Sequence, residues 1–143
     1  MAKMSTEECL SFLDEQARTG KLATVRADGS PHVVPIWYVL DGSTIIFTTG
    51  ENVVKARNMR RDARVSLCVD DERPPFSFVR VDGTVSFSED LAEMLTWATR
   101  IAGRYMGADQ AAAYGKRNAV RGELLVRLTP THIHGEKDIA AWT

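Results

Sequence analysis

Residues 48–61 carry the most suggestive chemistry in the chain. Two hydroxyl side chains, Thr48 and Thr49, are followed by Gly50 and then by Lys55. Hydroxyl donors, a glycine turn and a lysine near the start of a following helix are groups with which proteins bind phosphate. The segment from Glu51 to Arg64 also holds five basic residues and two acidic ones, in a chain that is otherwise close to neutral. These features indicate a site for an anionic ligand, although composition alone favours a solvated basic helix face.

The histidines and cysteines indicate no second reactive site. His132 and His134 alternate along a predicted strand and share a face, but no third metal ligand accompanies them. Solvated or hydrogen-bonded histidines are the favoured interpretation, and His32 faces either a ligand groove or solvent. Cys9 and Cys68 match no metal or redox spacing, which predicts two free thiols in a reducing compartment. Gly-x-Ser-x-Gly and Walker A patterns are absent, so we predict neither a catalytic side chain nor a metal site.

A helix and three strands are predicted around and before the basic segment. Ser5 to Glu8 form a capping box, and the apolar residues that follow at helical spacing predict a helix that ends by Gly20. The apolar period then changes to two, and Asp-Gly turns separate the predicted strands. We expect these strands to pair in sequence as a meander over residues 21–26, 33–40 and 44–49.

The remaining chain alternates helices and strands. Residues 50–62 suit a short helix, and the clearest helix covers 91–102, with Ser88 as its N-cap. Residues 108–116 add a further helical turn or two. Residues 64–69 form a strand, and 76–87 form either one bent strand or a hairpin. A final strand over 123–128 is expected to end at Pro130, before a short strand at 131–134.

Length and composition indicate one globular domain. The 143 residues have a net charge of −1, which argues against a nucleic-acid partner. The acidic N-terminal segment lacks an export signal, and the longest apolar run, Val33 to Leu40, is too short to span a membrane. We therefore expect a single domain over residues 1–143, cytoplasmic and without a membrane partner. The element order predicts an α+β fold with an antiparallel sheet that closes into a barrel.

Several stretches resemble a known superfamily. They are 20–38, Phe47-Thr48-Thr49, Lys55-Ala56-Arg57-Asn58, 60–67 and Val81-Asp82-Gly83-Thr84. In this order and spacing they resemble the pyridoxamine 5'-phosphate oxidase-like split-barrel superfamily, and within it the actinobacterial type of deazaflavin-dependent reductase, which uses coenzyme F-420. The resemblance covers most of the chain.

The resemblance implies a six-stranded antiparallel split β-barrel flanked by helices. It also implies a homodimer with two cofactor sites between the subunits. The cofactor phosphate is then expected at Thr48, Val53, Val54, Lys55 and Asn58, with Arg57 and Arg60 nearby. Thr49 is a further expected cofactor-binding residue. Arg57, Arg60 and Arg61 are expected to meet the carboxylates of the polyglutamyl tail. The ring groove is expected to be lined by Ala23, Thr24, Val25, His32, Pro35 and Trp37, and by Phe76 or Phe78 from the partner subunit.

The implied activity is transfer of hydride from reduced coenzyme F-420 to a conjugated small molecule, such as an enone, a quinone or a tetrapyrrole. In such an enzyme the cofactor carries the hydride and the protein mainly binds and orients, so a catalytic triad is not expected. An FMN-dependent oxidoreductase of the same superfamily and a non-catalytic cofactor carrier are the alternatives. Vitamin B6 oxidation is disfavoured, because the chain ends at Trp142 and Thr143 without the arginine-containing segment of authentic pyridoxamine-phosphate oxidases.

Overall fold

The computed structural model describes residues 2–142, which form four helices and eight β-strands. The helices are α1 (Thr6–Glu15), α2 (Val54–Arg61), α3 (Leu91–Met106) and α4 (Ala111–Asn118). The strands are β1 (Ala2–Lys3), β2 (Gly20–Val25), β3 (Pro31–Ile36), β4 (Val39–Asp41), β5 (Thr44–Gly50), β6 (Arg64–Asp71), β7 (Ser77–Ser88) and β8 (Glu123–Lys137). Within these residues no helix combines the length and the apolar character that a membrane crossing requires.

The strands form one antiparallel sheet that must curl. Its order is β3-β2-β6-β7-β8-β5-β4, with β1 paired to β8. The two edge strands, β3 and β4, are separated in the chain only by Trp37 and Tyr38. In a flat sheet these edges would lie about 29 Å apart, whereas the chain from Ile36 to Val39 spans at most about 11 Å. The edges therefore approach each other, as a split barrel requires.

The predicted α+β split barrel is confirmed, with eight strands where six were expected. The two additional strands are β1, of two residues, and β4, of three residues. Such short segments carry too few residues for an alternating pattern to be visible in the sequence. The dimeric state that accompanied this prediction stays a prediction.

The predicted meander is wrong, because residues 33–40 do not form one strand. Tyr38 is fully buried, its backbone N–H donates to the Tyr105 hydroxyl at 3.2 Å, and its own hydroxyl donates to the Leu13 carbonyl at 2.7 Å. The adjacent Trp37 stacks on the ring of Tyr105. Helix α3 thus provides the partner that a neighbouring strand would otherwise supply, and β3 and β4 separate to opposite edges of the sheet.

The β7–β8 ladder contains a register shift that explains two outcomes. Strand β7 runs continuously through Gly83, so the bent strand is confirmed and the hairpin is not formed. Pro130 does not end β8, contrary to the prediction, because it lies opposite Gly83 where the register shifts. A proline is tolerated at such a bulge, since no ladder hydrogen bond is required from it. A Cβ on Gly83 would lie 2.2 Å from the Thr129 carbonyl oxygen, so the close approach requires glycine.

The helix caps were predicted in part. Ser5 and Glu8 form the expected capping box of α1. Helix α3 is capped by Asp90, whose side chain accepts from the Glu93 N–H at 3.1 Å, and not by Ser88. The Ser88 hydroxyl instead accepts from the Asp90 N–H and donates to the Glu93 carboxylate, which stabilises the same turn from outside the helix.

The apolar core fills the barrel and anchors the three helices α1, α2 and α3. Its largest cluster includes Leu22, Phe47 and Leu67 from the sheet and Leu13 from α1, all fully buried. A second cluster, formed by Ile46, Met94 and Leu125, fixes α3 against the outside of β5 and β8. Helix α4 then packs closely on α3, and the two helices cover one end of the sheet.

Candidate functional site

A cavity of about 380 Å³ lies where β3, β5 and β8 meet helices α2 to α4. Its volume falls at the lower end of the range of small-molecule sites. The sheet and the segments that flank it contribute one wall, and α3 and α4 contribute the opposite wall. The lining residues are Thr19, Pro35, Ile36, Trp37, Thr48, Lys55, Ile101, Asn118 and Glu123.

Two opposite charges occupy this cavity without pairing directly. Burial lowers the pKa of Lys55, and the Glu123 carboxylate partly opposes that effect. Burial likewise raises the pKa of Glu123, and Lys55 partly opposes it. No ion pair within 4.0 Å joins the two side chains in the described part of the chain. The Glu123 Oε2 atom is buried and has no hydrogen-bond partner among residues 2–142.

The N-terminus of α2 opens beside Lys55. The N-cap residue is Val53, which provides no side-chain hydrogen bond to the helix, and the first turn contains no acidic residue. The first backbone N–H groups of a helix have no partner within it and carry partial positive charge. Val53 and Val54 are both exposed, so this helix end is accessible. An anion near Lys55 would meet both an ammonium group and these N–H donors.

An aromatic side chain, Trp37, also lines the cavity. The rings of Trp37 and Tyr105 stack with an interplanar angle of 2° and a centroid distance of 5.1 Å. The Tyr105 hydroxyl accepts from the Tyr38 N–H and donates to the Arg18 carbonyl at 2.8 Å. These bonds fix the plane of the stack. A flat apolar surface of this kind suits a planar ligand ring.

The structure brings together four of the predicted site residues, namely Pro35, Trp37, Thr48 and Lys55, in this cavity. Thr24 and Asn58 instead bind each other: the Asn58 Nδ2 donates to the Thr24 Oγ1 at 3.0 Å, and both residues are buried. Their bond attaches α2, and Lys55 with it, to β2. Direct contact of either side chain with a ligand stays a prediction, and it would require this bond to break.

The predicted arginines differ in their surroundings. Arg61 donates to the Val25 carbonyl at 3.0 Å and to the Asn58 side-chain oxygen, so it belongs to the same link between α2 and β2. Arg60 lies over the ring of Phe87, and Arg57 is exposed. Neither Arg57 nor Arg60 lines the cavity.

Other predicted residues lie outside the cavity. Ala23 and Val25 alternate with buried neighbours on β2 and face outward, and Phe78 on β7 lies on the same outer face of the sheet. Phe76 is exposed in the turn before β7, with a left-handed φ of 70°. Because these side chains line no part of the cavity in one subunit, their contact with a cofactor stays a prediction that depends on a second subunit.

Two further polar residues predicted for the site, Thr49 and His32, are buried and half-buried, respectively. Thr49 is buried, and its hydroxyl donates to the Gly50 carbonyl at 3.5 Å. His32 is half-buried opposite Thr24 in the β2–β3 ladder, and its Nδ1 has no hydrogen-bond partner within the described chain. Contact of His32 with a ligand groove stays a prediction, because its side chain is half-buried and does not line the cavity of one subunit.

Sequence reasoning missed five residues that line the cavity, namely Thr19, Ile36, Ile101, Asn118 and Glu123. Glu123 had a recognisable signal, since it is a lone carboxylate immediately before the apolar strand Leu124-Leu125-Val126. It faces the cavity because β8 pairs with β5 in a register that sets Glu123 against Gly50. That pairing joins residues far apart in the chain and has no local pattern.

A profile of the pyridoxamine 5'-phosphate oxidase family matches residues 5–136. The chain belongs to this family. Membership confirms the resemblance inferred from the sequence and assigns the protein to a family named for an oxidoreductase. The match covers the barrel, all four helices and every residue that lines the cavity.

Solved structures with the same fold include proteins named for a deazaflavin and for a flavin. An F-420 reductase is 28% identical, with a TM-score of 0.68, and the match covers 86% of this chain and 94% of that one. A conserved hypothetical protein from Mycobacterium tuberculosis is 24% identical, with a TM-score of 0.82 over 98% of this chain and 90% of that one. An FAD-binding protein from Mesorhizobium loti is 23% identical, with a TM-score of 0.69 over 94% and 95%.

Proposed function

We propose that this protein is a cytoplasmic coenzyme F-420-dependent reductase that acts on a conjugated small molecule of the enone, quinone or tetrapyrrole type. The observation that carries the proposal is the cavity itself, which combines an anion anchor at Lys55 with a flat wall at Trp37. The 28% identity to an F-420 reductase over 86% of the chain supports the choice of a deazaflavin.

The described residues fit the charged part of such a cofactor. Lys55, the uncapped start of α2 and the Thr48 hydroxyl supply a cation and hydrogen-bond donors for a phosphate. Each charge-assisted hydrogen bond contributes roughly 1.5–3 kcal/mol. Arg57 and Arg60 are exposed on the same helix, outside the cavity, where they can meet the carboxylates of a polyglutamyl tail.

The residues also fit the reactive part. When bound, reduced F-420 supplies a hydride from C5 of its ring. Trp37 would hold the plane of that ring, because its own plane is fixed by Tyr105. Ile101 and Asn118 close the cavity from α3 and α4 and would exclude water from the ring. Positioning of this kind is the contribution that a hydride transfer needs from the protein.

The proposal includes a homodimer whose second subunit completes the ring groove. Val33 is 64% exposed and lies opposite Ala23 on the outer face of the sheet, beside the exposed Val25. Three neighbouring apolar side chains on one sheet face are suited to burial against another protein surface. Phe78 lies on that same face and could reach the partner's cavity.

Equilibrium binding of oxidised F-420 and of FMN, each followed by fluorescence quenching, tests the proposal. We expect micromolar or tighter binding of the deazaflavin and weaker binding of FMN. Lys55→Gln should weaken deazaflavin binding about tenfold or more, since it removes a charge-assisted contact of about 1.4 kcal/mol or more. Lys116→Gln is the control, because it removes an exposed basic side chain that neither lines the cavity nor lies on α2.

Each alternative function has its own outcome. A clear preference for FMN would assign the protein to FMN-dependent oxidoreductases. Tight deazaflavin binding without turnover across enone, quinone and tetrapyrrole acceptors would indicate a cofactor carrier. Equal affinities of wild type and Lys55→Gln would remove Lys55 from the site, and binding of neither cofactor would contradict the proposal as a whole.

A further inference from the structure

Among residues 2–142, Glu123 is the one carboxylate that lines the cavity, and its position calls for a functional explanation. Its Oε2 atom is buried without a hydrogen-bond partner in the described chain, next to the Cα of Gly50. A buried carboxylate oxygen without a donor is costly for a protein to retain. Lys55 is the cation that faces it across the cavity, and the two are too far apart for a direct ion pair.

The charged residues that line a second cavity beside Glu123 do not neutralise its carboxylate. Glu123 also borders a second cavity, of about 460 Å³, whose other charged lining residues are Glu51, Glu89 and Arg121. Two carboxylates and one guanidinium leave that side with a net negative charge when all are ionised. Lys55 is therefore the main group that favours the ionised form of Glu123, and it does so from within the candidate anion site.

An anion that binds at Lys55 would change this balance. The ligand would neutralise the ammonium group and place a negative charge in the same small cavity as Glu123. At such separations, and partly shielded from water, like charges repel strongly. The carboxylate can relieve the repulsion by accepting a proton from solvent, which also turns Oε2 into a hydrogen-bonding hydroxyl group.

We propose that Glu123 makes anion binding in the cavity depend on pH, because it takes up one proton from solvent when an anion binds at Lys55. The inference rests on the proposed function only in placing an anion at Lys55. Affinity for an anion of fixed charge is then highest when Glu123 is neutral beforehand. It decreases as pH rises through the pKa of Glu123 in the free protein, and it levels off above the higher pKa of Glu123 in the complex.

Sulfate is a suitable probe because its charge stays constant over the relevant pH range. Binding to the full chain can be followed by NMR from the backbone amides of Val54, Lys55 and Ala56, from about pH 4, near the ordinary pKa of a glutamate, to about pH 8. We expect wild-type affinity to fall about tenfold across this range, a change that corresponds to one pKa unit of linkage. The side-chain carboxyl carbon of Glu123 should titrate at higher pH with sulfate than without it.

Glu123→Gln should bind sulfate with an affinity independent of pH and about tenfold tighter than wild type at the upper end of the range. Glu72→Gln is the control, because it removes an exposed carboxylate that lines neither cavity, and it should keep the wild-type pH dependence. A wild-type carboxyl titration unchanged by sulfate, or the same pH dependence in Glu123→Gln as in wild type, would overturn the inference while leaving the anion anchor intact. Absence of any amide shift at α2 would overturn both the inference and the anchor.

Discussion

At the scale of single residues, the buried hydrogen bond between Thr24 and Asn58 stabilises the site although neither side chain lines the cavity. Asn58→Ala should lower the free energy of unfolding by about 2 kcal/mol, because it leaves the Thr24 hydroxyl without its partner and opens a small void. Urea unfolding measures the change. Lys55 is carried by the same helix, so a modest loss of cofactor affinity should accompany it.

A double variant distinguishes a structural role of the Thr24–Asn58 hydrogen bond from direct contact of these side chains with the ligand. Thr24→Val combined with Asn58→Leu removes both polar groups together, so it should cost less than the sum of the two single changes. If Asn58→Ala leaves stability unchanged and abolishes cofactor binding, Asn58 is a ligand contact and the structural role is wrong. The Asn58 prediction made from the family pattern would then be correct.

The same scale shows what the sequence could reveal about the site. Thr48 and Lys55 were predictable because hydroxyl, glycine turn and lysine follow one another within a single strand-to-helix connection. Glu123 was not, since its place in the cavity depends on pairing with Gly50 across the sheet. Asn58 has the right sequence neighbours for a phosphate ligand, but its amide is occupied by Thr24, which only the packing of α2 on β2 determines.

At the scale of elements, the contact between α3 and α4 sets one wall of the cavity and depends on a missing side chain. A Cβ on Gly115 would lie 2.2 Å from the Thr99 Oγ1 and 3.0 Å from the Thr99 Cα. Gly115→Ala should therefore push α4 away from α3 and lower stability by about 1–3 kcal/mol, reduced by the better helix propensity of alanine. The melting temperature reports the loss, and weaker cofactor binding should accompany it because α4 carries Asn118.

Gly103→Ala provides the matched control within the same helix pair. The added Cβ would lie 3.5 Å from the Ala111 Cβ, an ordinary van der Waals contact, so the variant should be neutral or slightly stabilised. Equal melting temperatures for the two variants would show that α4 adjusts freely and that the cavity wall is not set by this contact.

The elements also mark the limit of sequence reasoning about the fold. Apolar periodicity identified α1, α2, α3 and most strands, because amphipathic order is local. The break between β3 and β4 after Ile36 could not be predicted from local sequence. It depends on a hydrogen bond to Tyr105, which lies 67 residues beyond Tyr38 in the chain. The continuity of β8 through Pro130 could not be predicted either. The proline is tolerated because the register shifts at Gly83, which belongs to the neighbouring strand β7.

At the scale of the whole molecule, the exposed valines on the outer sheet face make the oligomeric state testable. Val33→Glu should convert the proposed dimer into a monomer, because a carboxylate would be buried against the partner, and sedimentation velocity measures the change. Leu95→Glu is the control, since Leu95 is also an exposed apolar residue, at 39%, but lies on α3. A wild-type protein that sediments as a monomer would contradict the dimer, and with it the ring contacts expected from Phe76 or Phe78.

The two-residue connection between β3 and β4 limits which parts of the cavity can adapt to a different ligand. The barrel's two edges are tied together by Trp37 and Tyr38, and both are fixed by Tyr105. The distance between the edge strands β3 and β4 at this connection is therefore fixed by the fold. Adaptation to bulkier acceptors, whether by evolution or by directed mutagenesis, should therefore accumulate in α4, which packs on α3 and carries no residue of the connection between the two edges.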